Sequence, residues 1–301
     1  MAATNSKNKI KRSVGDQIVQ VLIYIFVGAF AVSTVLPFLY VVAGSFATER
    51  ELTQRAFFVI PHEFSFNAYR YIVNDGAIFR GLKNSLFVTI VGTLVNMAFT
   101  TTFAYPLSRR YLKGRNFFMN MVIITMLFSG GMIPGYLLIS NLGMLDSFSA
   151  LILPGAISVF NMVIVKNFFQ EIPAELEEAA KIDGCSDIGI FFKIILPLSK
   201  PVLASISLFY AVGHWNDYFS AMLYIRDPNK EVVQIALRRI VLLAGGANPD
   251  GSPIDFGDLG APPEKAVKMA ATVVSTVPIL IVYPFVQKYF TQGVMVGAVK
   301  G

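Results

Sequence analysis

Long apolar runs constrain the fold of this 301-residue chain more than any other feature. A helix needs about 20 residues to cross the roughly 30 Å hydrocarbon layer of a bilayer. Six runs reach that length: 18–46, 84–107, 116–140, 148–169, 201–225 and 266–287. Hydrophobic residues make up 54% of the chain and charged residues only 15%, a balance that is unusual for a soluble protein. The sequence therefore predicts an all-α membrane protein with six transmembrane helices.

Basic residues in the short segments predict the orientation of these helices. Four Lys or Arg residues precede the first run and four more lie in loop 108–115, whereas loop 141–147 has none. Short cytosolic loops carry such an excess of positive charge. We therefore expect a cytosolic N-terminal tail (1–17), a six-span domain (18–290) and a cytosolic C-terminal tail (291–301). The first run is too long for a cleaved signal peptide and is predicted to stay as an anchor.

On this orientation the polar loop 171–200 faces the cytosol, and its sequence predicts two short helices joined by a bend. Pro173 is tolerated in a first helical turn, where three nearby glutamates favour the positive end of the helix dipole. Gly184 is placed to end this helix. A second helix is expected to start at Ser186 and to end before Pro197.

The same loop contains a spaced motif, E-A-A-x3-G-x9-I-x-L-P. Ala179 and Ala180 would leave a smooth patch, so that the backbone of another protein could approach closely. The motif residues, together with the aspartate beside the glycine, are Glu178, Ala179, Ala180, Asp183, Gly184, Ile194, Leu196 and Pro197. An ordinary amphipathic hairpin between two spans is the alternative interpretation. The spacing resembles the signature loop of inner-membrane permease subunits of binding-protein-dependent ATP-binding-cassette (ABC) importers.

Within that family the chain is most similar to the maltose-type second permease subunit, in particular to subunits for oligosaccharide or polysaccharide uptake. The resemblance implies a type I (MetI-like) importer fold in a bacterial inner membrane. It also implies several partners: a second, homologous permease subunit, two ABC ATPase subunits, and an extracytoplasmic solute-binding protein. The helix around 178–184 would then sit in a cleft on the ATPase. The end of the chain, 293–301, resembles tails that run toward the ATPase interface, and a frayed tail is the alternative.

No cofactor or metal is expected in the chain itself. The phosphate-binding pattern G-x4-G-K-[ST] needs a Gly-Lys pair, and the sequence contains none. ATP with Mg²⁺ is therefore expected on the partner ATPase, and the chain is not expected to be an enzyme. The net charge of +6 is explained by membrane lipid headgroups rather than by nucleic acid, because the cations flank the apolar runs. Cys185 is the single cysteine, so an internal disulfide is excluded and a filler role is expected.

The fifth run carries the candidate substrate path. Trp215, Asn216, Asp217 and Tyr218 lie about 24 Å along it from the predicted cytosolic end, near the outer interface. Amide, carboxylate and aromatic groups at an outer opening suit sugar hydroxyls and sugar faces. An interface anchor and a hydrated rim residue are the alternative roles for Trp215 and Asp217.

Glycine and proline are predicted to break the third and fourth runs at membrane depth. The residues concerned are Gly130, Gly131 and Pro134 in the third run, and Pro154 and Gly155 in the fourth. Such breaks are tolerated where the backbone faces protein or a water-filled cavity. They are therefore consistent with a translocation path that moves.

Two long outer loops are predicted. The aromatic loop 47–83 favours interfacial helices or, equally, simple aromatic anchoring at the membrane surface. Loop 226–264 starts with an amphipathic piece at 231–243 and becomes rich in Gly, Pro and Asp. By resemblance, 245–263 would reach into the docked binding protein, and a connection of incidental length is the alternative.

Three other functions stay open at this point. The first is the same class of importer with a polyol, peptide or amino acid as its solute. A self-sufficient carrier is the second. The third is an intramembrane enzyme that uses His214 and Asp217, which are three residues apart and could share a helix face.

Overall fold

The computed structural model describes residues 14–74, 76–246 and 263–298, and these residues are mostly helical. The helices are α1 (Val14–Ser45), α2 (Glu49–Gln54), α3 (Asn67–Asn74), α4 (Ala77–Ser108), α5 (Arg115–Leu127), α6 (Met132–Asn141), α7 (Ser149–Ile152), α8 (Val159–Glu171), α9 (Ala174–Ile182), α10 (Asp187–Ile190), α11 (Leu196–Leu198), α12 (Lys200–Asn216), α13 (Phe219–Tyr224), α14 (Val233–Ala244) and α15 (Glu264–Ala298). A π-helical turn, Phe191–Ile195, joins α10 to α11. Among the described residues the β-structure is limited to one antiparallel bridge between Ala47 and Phe64.

Three helices in the described part are long and apolar enough to cross a membrane: α1, α4 and α15. Two further candidates are bent pairs. Helices α5 and α6 meet at 112°, and the helical segment before Ser199 meets α12 at 82°. Length and composition therefore allow up to five spans, and the count of six and the cytosolic termini remain predictions.

Two of the predicted runs are broken near the predicted glycines and prolines, although Pro134 itself lies inside α6. The third run is interrupted between Leu127 and Met132, where Gly131 has a φ of 88°. The fourth is interrupted between Ile152 and Val159, around Pro154 and Gly155. A glycine at positive φ and a proline without an N–H both end regular helix.

The prediction of one continuous helix over 201–225 is wrong. Helix α12 ends at Asn216, and α13 begins after a turn. The carboxylate of Asp217 accepts a hydrogen bond from the Ser220 backbone N–H at 3.0 Å. This local bond competes with continuation of the helix, which is the usual effect of aspartate.

Helix α4 is central to the packing and contacts α8, α12 and α14. Buried residues form one cluster around the end of α1, the start of α4, α14 and α15. A second cluster joins the end of α4 to α8, α12 and the loop 171–200, and half-buried Cys185 packs against it. The loop is therefore built onto the transmembrane core.

Large apolar side chains remain exposed along α1 and α5. Phe26 is 73% exposed, Leu127 is 70% exposed, and no residue in the most apolar window of α1 is buried. Soluble monomers rarely expose continuous apolar surface of this extent. These faces are suited to lipid or to another membrane-spanning subunit.

The predicted outer loop 47–83 contains α2, α3 and the start of α4, and one buried carboxylate holds it together. Glu51 accepts hydrogen bonds from the backbone N–H groups of His62 at 3.0 Å and Glu63 at 3.3 Å, and forms an ion pair with Arg55. The amphipathic piece predicted at 231–243 is present as α14. Residues 247–262 of the predicted binding-protein loop, the N-terminal residues 1–13 and the last residues 299–301 lie outside the described residues.

Asp146 joins the loop between α6 and α7 to the end of α13 and the loop that follows it. Its carboxylate accepts hydrogen bonds from the backbone N–H groups of Arg226 at 3.1 Å and Asp227 at 2.9 Å. Its own N–H donates to the Tyr224 carbonyl at 2.8 Å, and the Lys230 ammonium donates to its carbonyl at 2.7 Å. Asp146 also has a φ of 58°, which a non-glycine residue rarely adopts. The backbone hydrogen bonds to its carboxylate lower its pKa.

We expect Asp146→Ala to lower the melting temperature of the purified protein by several degrees and Asp146→Asn to lower it by less. Asparagine tolerates positive φ and keeps one acceptor oxygen, whereas alanine does neither. Because the folded-state pKa lies below the unfolded value of about 3.9, the charge stabilises the fold at neutral pH. That contribution is lost as the pH falls through the folded-state pKa. Thermal unfolding is therefore measured at neutral and at acidic pH. The difference in melting temperature between Asp146→Asn and the unmodified chain should shrink in acid, and a difference that does not depend on pH would contradict this.

Candidate functional site

The loop 171–200 forms the predicted pair of short helices. Helix α9 ends in a Schellman motif, in which the Gly184 N–H donates to the Lys181 carbonyl at 3.0 Å and the Cys185 N–H donates to the Ala180 carbonyl at 2.9 Å. Gly184 has a φ of 79°, which glycine adopts without strain. The hydroxyl of Ser186 then caps α10 by accepting from the Gly189 N–H at 3.2 Å. The bend at Gly184 and the start at Ser186 agree with the sequence prediction.

The predicted end of the second helix before Pro197 is wrong. The helical path continues through the π-turn and α11 to Leu198. Pro197 lies inside this continuous helical path, directly after the π-turn. The Ser199 N–H closes this turn by donating to the Ile195 carbonyl at 3.0 Å.

One surface of the loop is exposed and partly apolar. Ile182 is 86% exposed and Ile188 is 72% exposed. Glu178, Ala179, Asp183 and Gly184 are exposed on the same short segment. We call these six residues the coupling face. Two large aliphatic side chains beside a glycine and an alanine are typical of a surface that another protein covers.

Other motif residues point inward. Ala180 is only 9% exposed and packs in the second core cluster, so the predicted patch of two adjacent alanines is wrong for this residue. Ile194 and Leu196 are half-buried against the same cluster, while Pro197 is exposed. On a helix, neighbouring residues point about 100° apart, and the buried side of α9 takes Ala180. The motif thus divides between the coupling face and the residues that attach it.

A buried ion pair, which the sequence analysis missed, attaches α9 to the end of α4. Arg109 and Glu177 are in contact and are 8% and 6% exposed. The Arg109 guanidinium also lies 4.6 Å from the centre of the Tyr105 ring. Burial raises the pKa of the Glu177 carboxyl, and the adjacent guanidinium opposes that rise.

A second contact supports this attachment from the exposed side. Lys181 pairs with Asp187 at 3.2 Å, and its ammonium lies 4.8 Å from the centre of the Tyr111 ring. In the sequence, the cations of loop 108–115 indicated only the orientation of the helices. Glu177, which directly precedes the E-A-A motif, was the one signal that a cation of that loop could have a partner on α9.

The four predicted path residues have different environments. Trp215 is buried, and its indole N–H donates to the Ser275 carbonyl at 3.1 Å. Asn216 is exposed, whereas Asp217 and Tyr218 are half-buried. The structure therefore places the Trp215 side chain against α15, and the substrate path itself remains a prediction.

Two arginines that sequence reasoning did not select stand beside tyrosines at the two ends of α13. Arg238 hydrogen-bonds to the Tyr218 hydroxyl and lies 5.5 Å from the centre of its ring. Arg226 donates to the Tyr136 hydroxyl at 2.6 Å. Arg238 is exposed and has no carboxylate partner among the residues that the structure describes. An aromatic ring beside a guanidinium can contact a sugar face and a carboxylate together.

Polar side chains from α4 and α12 hold the break between α7 and α8. The Asn96 amide donates to the Gly155 carbonyl at 2.6 Å, and its oxygen lies 2.6 Å from His214 Nε2. The Tyr210 hydroxyl accepts from the Ser158 N–H at 3.0 Å. These contacts satisfy backbone groups that the interrupted helix leaves free. His214 is engaged with Asn96, and Asp217 with Ser220, so the two do not form a catalytic pair.

A helical membrane core with a short two-helix loop built onto it is the arrangement that the resemblance to importer permease subunits implies. The chain belongs to the family "Binding-protein-dependent transport system inner membrane component", whose model matches residues 108–296. It is 53% identical over 277 residues to Protein LplC of Bacillus subtilis, across 92% of this chain and 93% of that protein. It is 52% identical to the polygalacturonan/rhamnogalacturonan transport system permease protein YtcP of the same organism, across 95% and 99%.

A solved structure agrees with this assignment. A chain of a bacterial ABC transporter involved in the import of the acidic polysaccharide alginate matches with a TM-score of 0.84 and 32% identity, across 93% of this chain and 99% of that one. The predicted all-α importer permease fold is confirmed. The protein is a multi-pass inner-membrane transport component that works with a solute-binding protein and an ATPase. The enzyme alternative is therefore wrong.

Proposed function

We propose that this chain forms half of the transmembrane pathway for an acidic oligosaccharide. It pairs with a second, homologous permease subunit, and two ABC ATPase subunits that bind ATP with Mg²⁺ drive the pair. The coupling face supports this proposal, because its two isoleucines are exposed beside Gly184, where the E-A-A motif predicts a partner. The chain has no Gly-Lys pair for a phosphate-binding loop, so the energy is supplied by the partner.

The acidic character of the solute is supported from two sides. Similar proteins carry the names of polygalacturonan, rhamnogalacturonan and alginate transport, and the first and last of these are polymers of uronic acids. In this chain, Arg238 offers an exposed guanidinium above Tyr218, one of the predicted path residues. A uronate can stack its ring on the tyrosine and pair its carboxylate with the arginine.

The test uses the complete transporter in liposomes with its solute-binding protein. Uptake and ATP hydrolysis are measured over a panel of oligogalacturonides, alginate oligosaccharides, neutral oligosaccharides, a polyol and a dipeptide. We expect the uronates to stimulate both activities. Stimulation by the polyol or the dipeptide alone would overturn the carbohydrate assignment, and uptake without ATP would overturn the importer assignment.

Arg238→Gln tests the acidic part of the proposal. With the binding protein saturated, we expect the maximal rate of uronate uptake to fall about tenfold, the effect of one lost charge-assisted hydrogen bond. Uptake of any neutral oligosaccharide that the transporter accepts should stay unchanged. Arg80→Gln, at another exposed arginine of the predicted outer side, is the matched control. Equal losses for charged and neutral solutes would show that Arg238 acts on the fold rather than on the carboxylate.

A further inference from the structure

Helix α4 is an uninterrupted 32-residue helix that is fixed by polar contacts at both ends. At the predicted cytosolic end, Arg109 follows the helix and pairs with Glu177 of α9. Two turns inside the other end, the Asn84 amide donates to the carbonyls of Asn229 at 2.8 Å and Glu231 at 2.9 Å. From Asn84 to Arg109 the helix rises about 37 Å, at 1.5 Å per residue.

The outer contacts fix the loop that leads into α14. The hydroxyl of Ser85, which is buried, accepts from the Val233 N–H at 2.8 Å, and Val233 is the first residue of α14. The Asn229 and Glu231 carbonyls belong to the same loop. One turn of α4 therefore holds the start of the predicted outer segment 226–264.

The Arg109–Glu177 contact ties α9 to α4 in addition to the core packing that the two helices share. The loop 171–200 is covalently continuous with α8 and α12 only. The Arg109–Glu177 pair is buried, and truncating one partner of a buried pair is costly. A displacement of the coupling face therefore reaches α4 through this pair and the core packing around it.

Between its ends α4 is tightly supported. It packs along α8, α12 and α14, and Asn96 and Thr100 are buried with hydrogen-bond partners on other elements. The Thr100 hydroxyl lies 2.7 Å from the Tyr210 hydroxyl of α12. A helix packed on three sides moves as a unit rather than bending freely.

We infer that α4 transmits movement between the coupling face and the outer loop 225–233. Engagement of the ATPase inside and of the solute-binding protein outside would then be coupled through this one helix. Glu177, Arg109 and Asn84 are positioning residues in that link. The inference rests on the proposed function for the identity of the two partners.

The test is a double-mutant cycle in the reconstituted transporter. The measured quantity is the stimulation of ATP hydrolysis by the loaded binding protein, expressed as a ratio to hydrolysis without it. We expect Glu177→Gln and Asn84→Ala each to lower this ratio about fivefold, a typical size for coupling between sites. The stimulation ratio of the double variant should be no lower than that of the more strongly impaired single variant, because both changes interrupt one link.

Independent sites so far apart would give a different result. Their effects would multiply, and the double variant would lose about 25-fold. Multiplied effects, or single variants without effect, would overturn the inference. Glu175→Gln on α9 and Asn74→Ala on α3 are matched controls, since both side chains are exposed.

Folding failures are separated from loss of transmission by a second variant. Arg109→Lys keeps the charge but loses the guanidinium that lies beside the Tyr105 ring. It replaces Glu177→Gln in the cycle if that protein does not assemble, and the melting temperature of every complex is recorded. An unmodified transporter that no binding protein stimulates would contradict the proposed function itself. Stimulation of the unmodified transporter with multiplied losses in the variants would contradict only the role of α4.

Discussion

Replacing Gly184 with proline is expected to reduce uptake to the background of empty vesicles while the chain still inserts into the membrane. Proline fixes φ near −65°, whereas Gly184 has a φ of 79°. The change also removes the N–H that donates to the Lys181 carbonyl at 3.0 Å. The Schellman motif that ends α9 would be lost, and with it the bend in the coupling face. The ATPase would then no longer engage the chain. Uptake, ATP hydrolysis and membrane insertion are measured on the same preparation.

Two milder substitutions distinguish the backbone conformation at Gly184 from the space that a missing side chain leaves for a partner. In the described chain nothing lies within 4 Å of a Cβ placed on Gly184, so any steric clash must come from a partner. Asparagine accepts positive φ at low cost, whereas alanine there costs about 1–2 kcal/mol. If only the backbone shape matters, Gly184→Asn should keep uptake and Gly184→Ala should lose part of it. Loss of uptake in Gly184→Asn with an intact fold would indicate close approach by the partner backbone, and normal uptake in Gly184→Pro would contradict the coupling role.

The bend at Gly184 could be predicted because it depends on local physics. A glycine after a run of helix-forming residues and a serine two positions later determine a Schellman end and a new N-cap. The helix breaks near Gly131 and Pro154 were predictable for the same reason. These features need no knowledge of the rest of the chain.

The direction of each side chain on α9 could not be predicted, because it is set by distant packing. Ala180 faces inward and Glu177 is buried because the end of α4 supplies Leu107 and Arg109 on that side. Arg109 precedes Glu177 by 68 residues in the sequence. A single sequence shows the charges but does not pair them.

The environment of Trp215 depends on tertiary structure in the same way. Its indole meets the Ser275 carbonyl of α15, 60 residues later. The turn at Asp217 also ends α12 earlier than the apolar run suggested. Hydropathy measures the length of an apolar run, and it does not detect a local hydrogen bond that ends a helix within it.

Replacing Asn96 with leucine is expected to destabilise the break between α7 and α8 more than any change on an exposed face. Asn96 is fully buried and contacts both the Gly155 carbonyl and His214. Leucine has a similar volume but no polar group, so the carbonyl and the imidazole would each lose a partner. A buried polar group without a partner costs about 1–3 kcal/mol. Segment 153–158 should therefore open more often.

Hydrogen exchange over 153–158 and thermal unfolding of the purified protein measure this effect directly. Thr102→Val is the matched control, because Thr102 is exposed on the same helix and its hydroxyl bonds only within it. Tyr210→Phe should add to the loss, since it removes the acceptor for the Ser158 N–H at 3.0 Å. If exchange over 153–158 in Asn96→Leu matches the control, the break is held by its own backbone and the side chains of α4 and α12 do not stabilise it. The contacts predict faster exchange over 153–158 in Asn96→Leu and in Tyr210→Phe, with exchange in the rest of the helices unchanged.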